Sequence, residues 1–175
     1  HITDDSWSEE NIYGMYAGVT IPIKTFAEIS SKSDDPALAA YKGYISSADL
    51  SWIRYYSLRD LDGDGQQELL LFNTGKTLEK VAGISNGTVQ EILSGNTLYL
   101  CSGDVLEEWG GGSGGQTMTY YRVENGKAVP IDCITYRIHN DQWYRDSDYD
   151  FYTEDLTPIT EEEQQRVADA YARVD

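Results

Sequence analysis

The sequence has few of the residues that define several common classes of protein. Its 13 Lys and Arg are outnumbered by 30 Asp and Glu, which gives a formal net charge of −17, and the basic residues form no cluster. This charge repels the phosphate backbone of nucleic acids and the anionic surface of a membrane, so we expect neither as a partner. Apolar runs such as Leu69 to Phe72 are far too short for membrane insertion.

Cysteine, histidine and proline are also scarce, with two, two and four residues respectively. Cys101 and Cys133 have no CxxC pattern and no neighbouring histidine, so they do not form a zinc site. Cys101 falls in a predicted strand and Cys133 lies directly before one. In an exported protein they would form one disulfide, and otherwise they would be two buried thiols; the sequence leaves both alternatives open.

What the sequence does contain is a globular composition rich in tyrosine. Hydrophobic residues make up 40% and charged residues 25% of the 175 residues, which suits one folded domain. The aromatic residues are 14 Tyr, 4 Trp and 3 Phe, and tyrosine favours half-exposed β surfaces. We expect residues 1–11 to be a flexible terminus or linker, and residues 12–175 to form a single globular domain.

Closely spaced turn signals predict an antiparallel sheet. Asn86-Gly87 and Asn125-Gly126 are the strongest of them, because a type I′ turn needs positive φ at both central residues. Connections this short leave no room for crossover helices. The predicted strands are 53–58, 68–73, 78–84, 88–93, 97–101, 105–109, 117–124, 128–131 and 134–139.

One helix is predicted before these strands and one after them. Asp35 and Pro36 suit the N-cap and the first position of a helix that ends near Ser47. Thr160 and Glu163 match a capping box at the start of the last helix. The expected fold class is α+β, an antiparallel β meander with flanking N-terminal and C-terminal helices. The core-facing residues of the two helices should be Leu38, Tyr41, Ile45, Val167, Tyr171 and Val174.

The segment DLDGDGQQE, residues 60–68, is a candidate calcium loop between two predicted strands. Its carboxylates fall at relative positions 1, 3, 5 and 9, and Gly65 at position 6 permits a sharp turn. Converging carboxylates repel one another without a cation, and hard oxygen ligands favour Ca²⁺. The alternative is a solvated acidic turn. The predicted ligands are the side chains of Asp60, Asp62, Asp64 and Glu68 and the backbone carbonyl of Gln66.

This loop resembles the calcium-binding strand-loop-strand of FG-GAP (integrin-type propeller) repeats, in a single copy. It is not an EF-hand, because Leu71 stands where that loop has a bidentate Glu. With WIRYYSLRD before it and NGK-type turns after it, the chain resembles a group of uncharacterised secreted or lipid-anchored proteins of Gram-positive, often gut-dwelling, bacteria. The resemblance implies a secreted or surface-anchored domain with one structural calcium. Since the chain begins at His1 rather than Met, we expect a processed N-terminus.

Two further features are weaker candidates for binding sites. Asp146, Asp148 and Asp150 alternate and would make a second cation site, although without a turning glycine a solvated loop is favoured. Trp109 precedes the glycine-rich run 110–115, which lacks the strand-to-helix context of a nucleotide loop. Core packing is the simpler expectation for Trp109, and a ligand-binding rim that stacks a sugar or peptide is the alternative.

The sequence therefore predicts a non-catalytic extracellular calcium-binding domain, in which the calcium is structural. Its purpose would be surface adhesion or binding of an unknown glycan or protein. One alternative is an extracellular glycan hydrolase with a carboxylate pair drawn from Asp104, Glu107 and Glu108, although strand alternation puts Glu107 and Glu108 on opposite faces. Another alternative is an acidic inhibitor of a basic protein partner.

Overall fold

The computed structural model describes residues 13–16, 19–22, 24–25, 36–146 and 156–174. The helices among them are α1 (Pro36–Ala39), α2 (Lys42–Ser47) and α3 (Glu161–Ala170), with a 3-10 turn at Ile138–Asn140. The strands are β1 (Tyr13–Tyr16), β2 (Val19–Pro22), β3 (Lys24–Thr25), β4 (Ile53–Arg59), β5 (Glu68–Asn73), β6 (Leu78–Ser85), β7 (Thr88–Cys101), β8 (Val105–Gly112), β9 (Gly115–Glu124), β10 (Lys127–Arg137), β11 (Gln142–Asp146), β12 (Leu156–Ile159) and β13 (Arg173–Val174).

The fold is mostly antiparallel sheet. Strands β3 to β12 lie side by side in sequence order, β13 pairs with β7, and β1 and β2 form a separate two-stranded sheet. The two predicted hairpin turns are confirmed, because Asn86, Gly87, Asn125 and Gly126 all have positive φ, between 51° and 74°. Hairpin connections therefore set the order of the main sheet, as the turn spacing predicted.

At two places the sequence predicted a break between strands, and both predictions are wrong. Strand β7 runs through the expected turn at 94–96, because its first part pairs with β6 and its last part, from Thr97, pairs with β8. Strand β10 joins two predicted strands, with a bulge between Pro130 and Asp132 where they were expected to separate. The first predicted helix is instead divided into α1 and α2. Pairing on both sides of a strand outweighs local turn residues.

The tip of the β6–β7 hairpin contacts the β9–β10 turn, two strands further along the sheet. Gln90 Nε2 donates a hydrogen bond of 3.0 Å to the carbonyl oxygen of Gly126. A Cβ atom on Gly126 would lie 2.5 Å from the carbonyl oxygen of Ile84. Gly126 is therefore required both by its positive φ and by this close approach, and the sheet curls at this end.

Strand β5 is buried on both faces, which explains its continuous apolar run. Leu70 and Phe72 face one hydrophobic cluster, which they share with residues of β6 to β9. Leu69 and Leu71 face a second cluster together with Tyr41 and other residues near α1 and α2. A third cluster is formed by β7 to β10 and includes partly buried Val167 and Tyr171 from α3 and the residue after it.

The predicted capping box of the last helix is confirmed. Thr160 Oγ1 accepts a hydrogen bond of 3.1 Å from the backbone N–H of Glu163, and Glu163 Oε2 accepts one of 2.8 Å from the backbone N–H of Thr160. These two bonds satisfy donors that the helix itself leaves unpaired. Glu161 and Glu162 complete an acidic first turn at the positive end of the helix dipole.

Candidate metal centre

The predicted calcium loop connects β4 to β5. Strand β4 ends at Arg59 and β5 begins at Glu68, so the loop is held between two paired strands of the main sheet. Gly63 and Gly65 have φ of +75° and +87°, a region that other residues rarely adopt. The two glycines let the chain turn sharply enough for its aspartates to approach one another.

Short hydrogen bonds from the backbone wind this loop into a coil. Asp60 accepts two of them, from the N–H of Gly63 at 2.7 Å and from the N–H of Gly65 at 2.9 Å. Asp62 accepts one from the N–H of Asp64 at 3.1 Å. Such side-chain-to-backbone bonds are typical of Asx turns, and they hold the aspartates at the centre of the loop.

Three of the four predicted carboxylates come together. One oxygen each from Asp60, Asp62 and Glu68 lies within 4.8 Å of the others. Two oxygens bound to the same Ca²⁺ ion lie at most about 5 Å apart, since each bond is about 2.3–2.6 Å long. Asp64 lies outside this group, and its exposed side chain, like that of Gln66, lines a neighbouring cleft of about 530 Å³.

Glu68 is the most unusual of these carboxylates, since only 1% of it is exposed. The pKa of its carboxyl is raised to about 7, chiefly by burial and also by the negative charges of Asp62, Asp64 and Asp60, against the opposing effect of a backbone hydrogen bond. That bond comes from the N–H of Leu61 and is 2.7 Å long. Without a cation, burying this charge is unfavourable at neutral pH, and a bound cation would remove the cost.

Tyr41 links the loop to the helical segment. Its hydroxyl donates a hydrogen bond of 2.8 Å to the carbonyl oxygen of Gln67, and its ring is 1% exposed in the second cluster. Burial raises the pKa of this hydroxyl, and the nearby charges of Glu68 and Asp64 act in the same direction. The hydroxyl therefore stays neutral and donates to the backbone directly before Glu68.

The residues of the hydrolase alternative are occupied by other interactions. Glu107 is 1% exposed and pairs with Arg173 through two hydrogen bonds of 2.9 and 2.5 Å. Asp104 pairs with Arg59 at 2.5 Å. The register of β8 with β9 puts Glu107 opposite Tyr120 and Glu108 opposite Thr119, so the two glutamates face opposite sides of the sheet, as expected.

Trp109, the predicted ligand-binding rim, is half-buried on β8 and packs against the third cluster. Its ring also covers Gly111, because a Cβ atom there would lie 2.8 Å from the ring carbon Cη2. The second cation site is only partly within the described residues. Asp146 ends β11 and is 1% exposed, whereas Asp148 and Asp150 lie outside the described residues.

The disulfide alternative for Cys101 and Cys133 is not realised, because both are free and buried. They lie on β7 and β10, with β8 and β9 between them, so the sheet separates them by about 14 Å. Cys133 pairs with Thr119, Thr119 with Glu108 and Glu108 with Leu98, so Cys133 and Leu98 point to the same face of the sheet. Cys101 lies three residues after Leu98 on β7 and therefore points to the other face. A disulfide needs Cα atoms within about 7 Å.

Comparison with protein-family models, with curated proteins and with solved structures finds no match to this chain. The resemblance of the loop and its flanking segments to secreted bacterial proteins therefore stays a prediction. In the described part of the chain, no helix is long and apolar enough to cross a membrane.

Sequence reasoning missed the partner of Glu107. Arg173 lies 66 residues away in sequence, and its guanidinium stands 3.8 Å from the centre of the Tyr99 ring. Sequence reasoning also missed β13, which carries Arg173, and β11 and β12, which bring Trp143 and Ile159 beside the third cluster. Neither feature leaves a local signal in the sequence, because both depend on long-range pairing.

Proposed function

We propose that the chain is a non-catalytic extracellular domain of the α+β class, stabilised by one Ca²⁺ ion in the loop between β4 and β5. The domain would be secreted or anchored on a bacterial surface and would serve as an adhesion or ligand-binding module, with helices on either side of its sheet. The observation that carries the proposal is the approach of Asp60, Asp62 and Glu68 within 4.8 Å, with Glu68 almost fully buried.

The choice of Ca²⁺ follows from the ligands. All three are carboxylate oxygens, which are typical of hard cations, and neither histidine nor thiol belongs to the group. The further oxygens that Ca²⁺ requires would come from Asp64, from the Gln66 carbonyl or from water. Mg²⁺ is less suited, because it demands a compact octahedron and gives up its water reluctantly.

The ion would act on stability rather than on chemistry. It would neutralise Glu68 at the start of β5, and through the Tyr41 hydrogen bond to Gln67 it would tie the helical segment to the sheet. For a site with a Kd of about 10⁻⁴ M, millimolar calcium is about tenfold above the Kd. The bound ion would then add about 1.4 kcal/mol to the free energy of unfolding. For a chain of this size that corresponds to a rise in Tm of about 3–6 °C.

Thermal unfolding in EDTA, in millimolar Ca²⁺ and in millimolar Mg²⁺ tests this proposal. We expect Ca²⁺ to raise Tm by several degrees and Mg²⁺ to raise it much less. Asp62→Ala should lose the response, because it removes one of the three ligands. Glu162→Gln is the matched control, since it removes one negative charge from an exposed position in α3 and should respond to Ca²⁺ like the wild type.

Two results would contradict the calcium proposal. If Ca²⁺ leaves Tm unchanged in the wild type, or if Asp62→Ala retains the full response, the loop is a solvated acidic turn. The extracellular assignment would then lose its main support, because it depends on an environment with millimolar calcium.

A further inference from the structure

Four neighbouring strands each contribute one side chain to a single row on one face of the sheet. Gln116 on β9 pairs with Tyr136 on β10, Tyr136 pairs with Trp143 on β11, and Trp143 pairs with Ile159 on β12. Directly paired residues of antiparallel strands point to the same face and contact one another. The row therefore brings two aromatic rings together between an amide and an aliphatic side chain.

This row forms the floor of a cleft of about 610 Å³. The ring centres of Tyr136 and Trp143 are 5.1 Å apart and the rings are inclined by 45°, so together they make a bent aromatic platform. Asp141 borders the cleft on one side, and Thr160, Glu161 and Glu163 at the start of α3 border it as well. The volume lies within the range of about 300–1,000 Å³ that is usual for ligand sites.

The polar groups around the platform are hydrogen-bond acceptors and amides, and none of the lining residues is basic. Two of the carboxylates already accept hydrogen bonds from neutral donors. Asp141 accepts a hydrogen bond of 2.5 Å from the Tyr136 hydroxyl, and Glu163 accepts the capping bond at the positive end of the α3 dipole. The aromatic platform, bordered by these acceptors, favours a ligand that offers an apolar face together with hydroxyl donors.

We propose that this cleft binds a neutral carbohydrate, with one pyranose ring stacked on Tyr136 and Trp143 and its hydroxyls donating to Asp141 and Glu161. The C–H face of a sugar ring packs on aromatic rings, and carboxylates are strong acceptors for its hydroxyls. The three carboxylates would repel acidic sugars such as uronic acids. This proposal gives a ligand class to the binding module of the proposed function, on which it rests, and it does not depend on the calcium ion.

The same cleft does not have the character of a glycosidase site. Asp141, Glu161 and Glu163 are all exposed to solvent, whereas the general acid of such enzymes lies in a dry, apolar setting. The cleft is also far from the calcium loop. That loop shares a cleft with Lys127 and Val129 at the start of β10, whereas Tyr136 lies near its end, about 25 Å along the strand.

The test is a binding screen of the calcium-loaded protein by calorimetry and NMR. The neutral probes are oligomers of cellulose, xylan, mannan and chitin; the acidic probe is oligogalacturonate, and the cationic probe is an oligo-arginine peptide. We expect saturable binding of at least one neutral oligomer and none of oligogalacturonate. Raising NaCl from about 50 mM to about 500 mM should change the neutral oligomer's Kd less than about twofold, because an uncharged ligand is not screened.

Substitutions of the two platform residues test whether the oligomer binds in this cleft. Trp143→Ala should weaken it by about tenfold or more, as expected for an aromatic anchor. Tyr136→Ala is the second variant, because Tyr136, unlike Trp143, is not among the residues packed against the third cluster, and it should weaken binding similarly. Trp52→Ala is the matched control, because Trp52, directly before β4, is 45% exposed and does not line the cleft. It should leave the Kd unchanged.

Three results would overturn the proposal. They are the absence of binding for every neutral oligomer, binding that survives both cleft variants, and preferential salt-sensitive binding of oligo-arginine, which would identify a basic protein as the partner. The calcium response of Tm is measured on the same samples. A cleft that binds no sugar in a protein that still responds to Ca²⁺ refutes this inference and leaves the calcium proposal standing.

Discussion

Replacing Glu68 by Gln should stabilise the calcium-free protein and abolish its response to calcium. Glu68 is 1% exposed and its pKa is raised to about 7, mainly by burial. Gln has the same shape, and its amide oxygen can accept the N–H of Leu61 as Glu68 Oε2 does at 2.7 Å. The substitution removes the buried charge and one calcium ligand, and it keeps the packing.

The magnitude follows from linkage between protonation and folding. Since the pKa is raised in the folded state, that state binds the proton more tightly, and stability falls as pH rises from 4.5, the ordinary value, to about 7. The difference corresponds to roughly 3 kcal/mol at pH 8 in EDTA. Glu68→Gln avoids this loss, so its Tm at pH 8 should exceed that of the wild type by about 6–12 °C. At pH 4 the two should nearly coincide.

The assay is chemical and thermal unfolding of both proteins in EDTA at pH 4 and pH 8, repeated at pH 8 with millimolar Ca²⁺. Calcium should stabilise the wild type and leave Glu68→Gln unchanged. The calcium affinity of the wild type should also fall about tenfold for each pH unit below about 7, because the ion binds the ionised carboxylate. A variant that is less stable than the wild type in EDTA at pH 8 would refute the reasoning, as would a difference that does not depend on pH.

Three further predictions concern the loop, the C-terminal strand and the thiols. Gly65→Ala should destabilise the protein by about 1 kcal/mol in urea unfolding and weaken calcium binding, because Gly65 has φ of +87°. Arg173→Met should cost about 3 kcal/mol, because it leaves Glu107 buried without its partner, and adding Glu107→Gln should restore much of the loss. Cys101 and Cys133 should react with a thiol reagent only after unfolding, and a reductant should leave Tm unchanged. A disulfide would instead leave both cysteines unreactive even in the unfolded chain, and a reductant would then lower Tm.

Local signals predicted much of the sheet. The Asn-Gly turns have few alternative conformations, so Asn86-Gly87 and Asn125-Gly126 are hairpin turns in the structure as well. The start of α3 was equally predictable, because its capping box uses residues only three positions apart. In the loop, the aspartates and glycines of the tight coil fall within residues 60–65, so the approach of Asp60 and Asp62 could be expected from their spacing, whereas Asp64 lies outside the group.

Features that depend on long-range pairing were not predictable in this way. Ser94 stands in a sequence typical of a turn, yet β7 continues past it because β6 and β8 pair with successive parts of the strand. The positions of Cys101 and Cys133 on opposite faces follow from the register of three pairs of strands, which no local pattern encodes. The burial of Glu68 follows from its place on β5, because strand alternation puts it on the same face as Leu70 and Phe72, toward the first cluster, to which Leu61 also belongs.

The most direct test of the central claim is the number of calcium ions that each chain binds, measured by equilibrium dialysis in millimolar Ca²⁺ with excess Mg²⁺. We expect about one ion per chain for the wild type and for Glu162→Gln, and none in this site for Asp62→Ala or Glu68→Gln. A wild type that binds no calcium under these conditions would show that the loop is not a calcium site, and so would loop variants that bind as much calcium as the wild type.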